Sequence, residues 1–362
     1  MKGTVKKAIT NWDNGNIHFG SDSLFGLQHV LKKQFKGHLK FIIVDENTYQ
    51  HCLPTLLSYC PELTSATIIK IKSGEQNKTL QTAELIWKQL TISNAGRQSV
   101  LINLGGGVVT DIGSFCASTF KRGLVFCNVP TTLIGMTDAA IGGKTAIDFY
   151  DIKNLLGTFS NPGAIYIYPG FLNTLDLRNL ISGKAEMIKH ALIADCKWWK
   201  QMQELPFEEL HNSNNLKKSI NVKCRIVKND PFETSNRKLL NFGHTVGHAV
   251  EAWSIKSNKP LLHGECVAIG MVMETYLSHL KCRLSKSDVR EITEYIDANY
   301  LLPKFKANEI TAIIRYMMHD KKNTQKGINF TLLASTGTGI IDRYCDPKMI
   351  QAAFQFYNSV AE

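Results

Sequence analysis

Two histidines four residues apart carry the strongest chemical signal in the chain. His244 and His248, in Asn241-Phe242-Gly243-His244-Thr245-Val246-Gly247-His248, share one face if the stretch is helical. Two imidazoles on one face can bind one divalent metal. His263-Gly264-Glu265 follows after a Lys/Ser/Asn/Pro loop, and Glu186 lies at the start of the helical pattern Ala185–Ala194. Three such ligands with an open position would form a catalytic metal site that polarises bound oxygens. The plainer alternative is that these histidines cap helices and satisfy buried polar groups, and spacing does not choose the ligands.

A second group points to a dinucleotide. Gly105-Gly106-Gly107 follows the apolar run Ser99–Leu104 and precedes a helical pattern. There, backbone N–H groups and a helix N-terminus can hold a diphosphate. Thr110 stands where the third glycine of a full fingerprint would be, so a tight turn without ligand is the alternative. Asp45-Glu46-Asn47 follows an earlier strand pattern. A carboxylate in that place binds ribose hydroxyls or caps a helix. A third group runs from Asp138 through Gly142-Gly143-Lys144-Thr145 to Lys153-Asn154. Glycines beside lysines suggest a loop that wraps anionic groups. It is not an ATP-binding loop, because Asp138 occupies the first glycine's position.

These groups need elements to hold them. Leu39–Val44, Ser99–Leu104, Leu124–Val129 and Ala164–Ile167 read as buried strands, with helical patterns at Leu80–Leu90 and Asp111–Phe120. Strand–helix alternation predicts an α/β, Rossmann-like domain with a mostly parallel sheet over residues 1–177. Beyond it, Ala185–Ala194, Ser219–Val227, His244–Trp253, Glu265–His279 and Ser287–Asn299 read as helices, and Asn329–Leu333 as a short strand. A mainly α-helical domain over residues 178–362 follows.

Composition narrows the class. The 362 residues are 44% hydrophobic and 20% charged, an ordinary globular balance that argues against disorder. No apolar run reaches the ~18 residues of a membrane span, and MKGTVKKAITNW lacks the apolar core of a secretory signal. The nine cysteines form no CxxC pair. Together these predict a cytoplasmic protein with no membrane partner. The net charge of +11 is spread along the chain, which favours anionic metabolites over nucleic acid.

The blocks GGGVVTD (105–111), KRG (121–123), PTTL (130–133), DAAIGGKTAID (138–148), KNLLGTF (153–159), SGKAEMIKHALI (182–193), LLNFGHTVGHAVE (239–251) and LLHGECVAIGM (261–271) resemble, in order, the 3-dehydroquinate synthase family of sugar-phosphate cyclases. The likeness runs from about Asp45 to Lys322. It implies a phosphorus–oxygen lyase of the shikimate pathway, which leads to chorismate and the aromatic amino acids. Such an enzyme converts 3-deoxy-D-arabino-heptulosonate 7-phosphate into 3-dehydroquinate and phosphate. The route is transient NAD-dependent oxidation, phosphate elimination, reduction and intramolecular aldol closure. Another sugar-phosphate cyclase, or a metal- and NAD-dependent polyol dehydrogenase of related fold, is the alternative.

The same resemblance distributes roles. It implies one zinc or cobalt ion on Glu186, His244 and His263, which moves His248 from ligand to catalytic group beside Lys144, Asn154 and Lys189. Asp138, Lys223, Arg237, Asn241 and one lysine of Asp320-Lys321-Lys322, taken as Lys322, would bind substrate. Gly105, Gly106, Gly107 and Asp111 would hold the NAD diphosphate region; Asp45, Asn47, Glu75 and Lys78 the adenosine half; Thr131, Thr132, Lys153, Phe171, Thr174 and Leu175 the rest of the cofactor cleft. Arg122 would reach the phosphate in the neighbouring subunit of a homodimer. Asn179, where a glutamate is common in the family, and Ala139 and Ala140, where serines are common, depart from the pattern.

Overall fold

A computed structural model describes residues 16–150, 152–256, 260–318 and 327–361. Lys322 and its Asp320-Lys321 neighbours lie outside the described residues. Contacts divide the chain into two units between Leu180 and Ile181.

Six short apolar runs become one parallel sheet in the first unit: β1 Ile17–Phe19, β2 Lys40–Val44, β3 Thr67–Lys70, β4 Val100–Gly105, β5 Val125–Pro130 and β8 Ala164–Ile167. Every residue of β4 is buried, as expected where helices cover both faces of a parallel sheet. The covering helices are α1 Ser23–Lys33, α2 Glu46–His51, α3 Leu53–Tyr59, α4 Leu80–Ile92 and α5 Gly107–Thr119. Ile86 and Leu90 of α4 and Ile112 and Cys116 of α5 pack into one core with Phe41, Ile43 and Leu101.

Strand order is β1-β8-β5-β4-β2-β3. The chain lays β3 outside β2, then returns to lay β4 on the other side of β2. The winding therefore reverses between β2 and β4, and in such sheets ligands bind beyond the carboxyl ends of the strands at that reversal. Asp45 directly follows β2, and the triglycine closes β4.

The central Gly/Lys segment differs from the loop reading. Gly142 (φ +108°) and Gly143 (φ +68°) turn, in conformations that favour glycine. After them, β6 Lys144–Phe149 and β7 Ile152–Phe159 form an antiparallel hairpin. Hydroxyls hold it: buried Thr145 Oγ1 lies 2.8 Å from Thr158 Oγ1, which is 2.7 Å from Ser118 Oγ on α5. The glycines and lysines mask this strand alternation in the sequence.

Among its described residues the second unit is mainly helical, with one antiparallel pair, β9 Ile328–Ser335 and β10 Thr338–Cys345. Helix α6 runs Leu177–Ala194, so the unit boundary falls inside it. It begins eight residues earlier than the apolar pattern predicts, because Leu177–Lys184 is mostly polar. Asp176 supports its start, accepting from the Asn179 N–H (3.0 Å) and side-chain amide (2.7 Å). Then follow α7 Cys196–Gln203, α8 Ser213–Asn229, α9 His244–Ile255, α10 His263–Cys282, α11 Lys286–Asp297, α12 Ala307–Met318 and α13 Pro347–Val360. Asn212, Ser285 and Asp346 cap α8, α11 and α13 with side-chain acceptors.

Candidate functional site

In the first unit, Gly105 ends β4, Gly106 is the N-cap of α5 and Gly107 its first residue. A Cβ on Gly105 would lie 2.5 Å from Val109, and one on Gly106 2.8 Å from Thr132. The tight turn thus requires both glycines. The close helix–sheet approach that a third fingerprint glycine supplies comes from Gly113, which the sequence reading did not single out. Its Cβ would fall 2.1 Å from Asn103 Oδ1 on β4.

Two of the residues expected to meet the cofactor touch this turn, Thr131 and Thr132. The Thr131 N–H donates to Gly105 O (3.0 Å), and Thr132 Oγ1 accepts from the Gly135 N–H (3.1 Å). Asp45 does the capping task that the sequence left open: its carboxylate accepts from the Thr48 N–H at 2.7 Å, and Asn47 is exposed on the same short helix. Burial pushes the Cys52 thiol up to about 11, with Asp45, Thr131 and Thr174 all close enough to act on it. Phe171 is buried, Thr174 Oγ1 donates to its carbonyl, and the Leu175 N–H closes the same short turn on Leu172 O. Glu75 pairs with Lys153 at 3.3 Å. Lys78 is buried, with its ammonium 2.6 Å from both Asp111 Oδ2 and Asn154 Oδ1.

In the second unit, three helices bring the expected metal ligands together. Residues 182–193 of α6 are all buried, and Glu186 is mid-helix rather than at a helix start. One turn before it, Ser182 Oγ accepts from the Gly264 N–H (3.0 Å), and a Cβ on Gly264 would lie 1.8 Å from Ser182 O. Only glycine lets the start of α10, which carries His263, touch α6 there. Helices α9 and α10 also meet at glycine, since a Cβ on Gly270 would lie 1.9 Å from Gly243 O. The α9 N-cap, Gly243, has no capping side chain of its own. Glu274 of α10 supplies one, accepting from the N–H groups of Gly243 (2.6 Å) and Val246 (3.1 Å).

The donor atoms of Glu186, His244 and His263 all lie within 4.8 Å of one another. Glu186 is fully buried, with Oε2 on the Lys189 ammonium. Its Oε1 has no hydrogen-bond partner among the described residues, and faces His244 Nε2 at 3.4 Å and His263 Nε2 at 3.5 Å. His244 Nδ1 bonds to Phe242 O (3.1 Å), and His263 Nδ1 to Glu251 Oε2 (3.3 Å). With Nδ1 engaged, each ring turns Nε2 inward, as metal-ligating histidines do. An orphaned carboxylate oxygen with two convergent imidazole nitrogens suits a divalent ion such as zinc or cobalt. Burial and Lys189 hold His244 below the usual imidazole range. Burial also opposes charge on His263, but Glu251 and Glu186 outweigh it and push that group up to about 10. His248 is exposed one turn along α9 and groups with Glu251 and His263 instead of with His244 and Glu186.

Residues 68–182 match the family model described as 3-dehydroquinate synthase N-terminal, and residues 183–323 the one described as 3-dehydroquinate synthase C-terminal. A 3-dehydroquinate synthase of Parabacteroides distasonis is 41% identical over 320 residues, covering 88% of this chain and 90% of its own. The chain belongs to the 3-dehydroquinate synthase family.

Solved structures agree on the fold of this dehydroquinate synthase relative. A 2-deoxy-scyllo-inosose synthase complexed with carbaglucose-6-phosphate, NAD+ and Co2+ superposes with a TM-score of 0.82 at 21% identity, covering 93% of this chain and 95% of that one. The 2-epi-5-epi-valiolone synthase of Streptomyces hygroscopicus, with NAD+ and Zn2+ bound, gives 0.78 at 25% identity, covering 89% and 91%.

The residues expected to bind substrate fall in both units of this synthase-family chain. Asp138 lies in a single π-helical turn, Gly135–Ala139, and Lys144 opens β6. In the second unit, Lys223 is buried on α8, and Arg237 and Asn241 lie on the 3-10 turn Asn236–Asn241. Asp230 folds the loop before them by accepting from the N–H groups of Thr234, Ser235 and Arg237. Arg237 donates to Pro231 O, and Asn241 to Glu233 Oε1 at 2.8 Å. Asp230 and Glu274 were not singled out in the sequence, and Glu251 entered only as the end of the LLNFGHTVGHAVE block. Nothing in residue type separates a carboxylate that orients a ligand from one on the surface.

Proposed function

We propose that this chain acts as a 3-dehydroquinate synthase, converting 3-deoxy-D-arabino-heptulosonate 7-phosphate into 3-dehydroquinate and phosphate with no net oxidation. The observation that carries this reading is the convergence of Glu186 Oε1, His244 Nε2 and His263 Nε2 in a chain matching the family from residue 68 to 323. When bound, NAD+ accepts and returns one hydride, and the divalent ion polarises adjacent oxygens of the substrate. Glu186, His244 and His263 would hold the ion, and the Gly105–Gly107 turn at the start of α5 would hold the dinucleotide diphosphate.

The chain's other groups serve a substrate that carries a carboxylate, a phosphate and several hydroxyls. Lys144, Lys223 and Arg237 neutralise the anionic ends, and Asp138, Asn154 and Asn241 orient hydroxyls and oxygens. The Lys189 ammonium is tied to Glu186 Oε2, which would leave Oε1 to hold the ion. His248 is placed to hold or move a proton beside the cluster, its ring centroid 5.9 Å from that of His263. All nine cysteines are free, which supports a cytoplasmic location. No helix among the described residues is long and apolar enough to cross a membrane.

The decisive assay follows phosphate and dehydroquinate from the heptulosonate phosphate with catalytic NAD+. Over many turnovers, absorbance is expected to show no NADH beyond enzyme concentration, because the hydride must return. NADH formed in step with substrate consumed would instead support the polyol dehydrogenase alternative.

A homodimer with Arg122 in its partner's site is supported by the Lys121-Arg122-Gly123 turn. Lys121 (φ +50°) and Arg122 (φ +67°) are both left-handed, a strained backbone that the turn must over-determine. Lys121 anchors it on Ala95 O at 2.6 Å, and Arg122 is exposed. Nearby in sequence, β7 pairs only with β6 among the described residues and exposes Ile152, Leu156 and Phe159. Such an edge needs covering. Mixing an Arg122→Ala chain with a Lys144→Ala chain checks this. Activity returning towards half of wild type per heterodimer is expected; no recovery with subunit exchange confirmed would remove the shared site.

A further inference from the structure

We propose that a cavity in the second unit binds a small apolar α-amino acid, and that this occupant steadies the turn carrying Arg237 and Asn241. The cavity measures about 310 Å³. Its walls are the C-terminal ends of α6 and α8, the 3-10 turn Asn236–Asn241 and the bend between β9 and β10. That volume is at the small end of the about 300–1,000 Å³ range of small-molecule sites, which suits an amino acid and not a nucleotide. The cavity shares no residue with the Glu186, His244 and His263 set or with the expected substrate contacts.

The lining offers three chemistries. Ile193, Ile226 and Leu239 supply apolar walls. Arg225 supplies a cation, and no described residue gives its guanidinium a hydrogen bond or ion pair. A free guanidinium fork matches a carboxylate. The third is the negative end of two helix dipoles: Ala194 is the last residue of α6 and Asn229 the last of α8, and both line the cavity. The Trp198 N–H, which would otherwise continue to Ala194 O, donates to Asp195 Oδ1 at 2.9 Å. Carbonyls at such ends lack intrahelical donors and favour a positive group. A zwitterion with an apolar side chain satisfies all three. A plain carboxylic acid leaves the helix ends unused, and a plain amine meets Arg225.

Glycine fixes one wall. A Cβ on Gly337 (φ +80°) would lie 2.3 Å from Cys196 N, and one on Gly339 2.8 Å from Leu239. The Gly337 N–H also donates to Leu192 O at 2.8 Å. The opposite wall is looser. Residues 231–236 are mostly exposed, and the Asp230 carboxylate folds them through the N–H groups of Thr234, Ser235 and Arg237. An occupant touching Asn236 and Leu239 adds contacts on both sides of Arg237 and lowers the ordering cost that substrate binding meets. This coupling rests on the reading that Arg237 and Asn241 contact substrate; the binding itself does not.

The test uses the full chain with NAD+ and zinc, and L-phenylalanine as probe. Calorimetry is expected to show saturable binding that Arg225→Gln weakens about tenfold or more. Asn229→Lys, which sets an ammonium against the ligand's own, is expected to weaken it too. Both positions are exposed on α8, so each variant is expected to keep its fold by circular dichroism and its kinetics without L-phenylalanine within about twofold. Phenylacetate and phenethylamine, each lacking one charge, are expected to bind about tenfold more weakly or worse. Saturating L-phenylalanine is expected to lower the wild-type KM for the heptulosonate phosphate about twofold or more with kcat unchanged, and to leave Arg225→Gln unmoved at the same concentration. No saturable heat up to about 10 mM, or binding that both variants leave intact, would overturn the site. Phenylacetate binding as tightly as L-phenylalanine would overturn the amino-acid class. Binding without a KM shift would overturn the coupling. Failure of the synthase reading is distinct: wild type would then release no dehydroquinate, and calorimetry would still decide the site.

Discussion

Replacing His263 with alanine is expected to remove most of the bound metal and to lower kcat by about a thousandfold or more, with the fold retained. Metal catalysis supplies several kcal/mol, and each 1.36 kcal/mol is a factor of about ten. His263 is the first residue of α10 and its side chain is 28% exposed, so truncation leaves no large void. His248→Ala is expected to lose activity but keep its metal, since His248 stands outside the Glu186, His244 and His263 set. Elemental analysis and circular dichroism of both variants decide the matter. A metal-free His248→Ala beside a fully loaded His263→Ala would reverse the ligand assignment.

Acidity gives a second readout of the same site. In the metal-free protein His263 is held up at about 10, so it carries a proton across neutral pH that the ion must displace. Metal affinity of wild type is therefore expected to rise about tenfold per pH unit between pH 7 and 9. The sign for folding is opposite. The raised imidazole stabilises the metal-free chain fully below its unfolded value of 6.5, and that contribution fades as pH climbs through about 10.

Gly270→Ala is expected to cost about 3 kcal/mol or more of stability and to weaken metal binding at least about tenfold. The added methyl would meet Gly243 O at 1.9 Å and Gly247 N at 2.9 Å. Both obstacles are backbone, so α9 and α10 must separate. That separation pulls Glu274 from the Gly243 and Val246 N–H groups and leaves a buried carboxylate with poorer partners. It also moves His244, the first residue of α9, away from Glu186. Urea unfolding and a chelator-competition titration measure the two effects. A loss within about 0.5 kcal/mol would mean that the glycine contact is not what sets the spacing.

Local chemistry made much of the molecule legible before any coordinates. The runs at Leu39–Val44, Ser99–Leu104 and Leu124–Val129 could satisfy their apolar character only as covered strands, and β2, β4 and β5 fall within a residue of them. The triglycine announced a strand-to-helix turn, because no other residue type permits it. The ordered motifs identified the family, since so many polar blocks in register have no purely structural reason. Local reading failed where structure begins without periodicity. Leu177–Lys184 carries too few apolar residues to signal a helix, and the Gly/Lys segment hid the β6–β7 hairpin.

The metal site divides in the same way. Residue types by themselves determined that imidazoles and a carboxylate were available, but His244 and His248 at helical spacing were as plausible a pair as any. Resemblance to the family, not spacing, moved the choice to Glu186, His244 and His263. Tertiary structure brings those three together through contacts far apart in sequence: Gly264 against Ser182, Gly270 against Gly243, and Glu274 across to the start of α9. It also turned Lys78 inward, onto Asp111 and Asn154. The physical reason is range. Helix and strand signals are written within a few residues, whereas the direction of a buried lone pair or ammonium depends on backbones packed within hard-sphere distance. A sequence records such packing only as glycines and carboxylates whose partners lie out of sight.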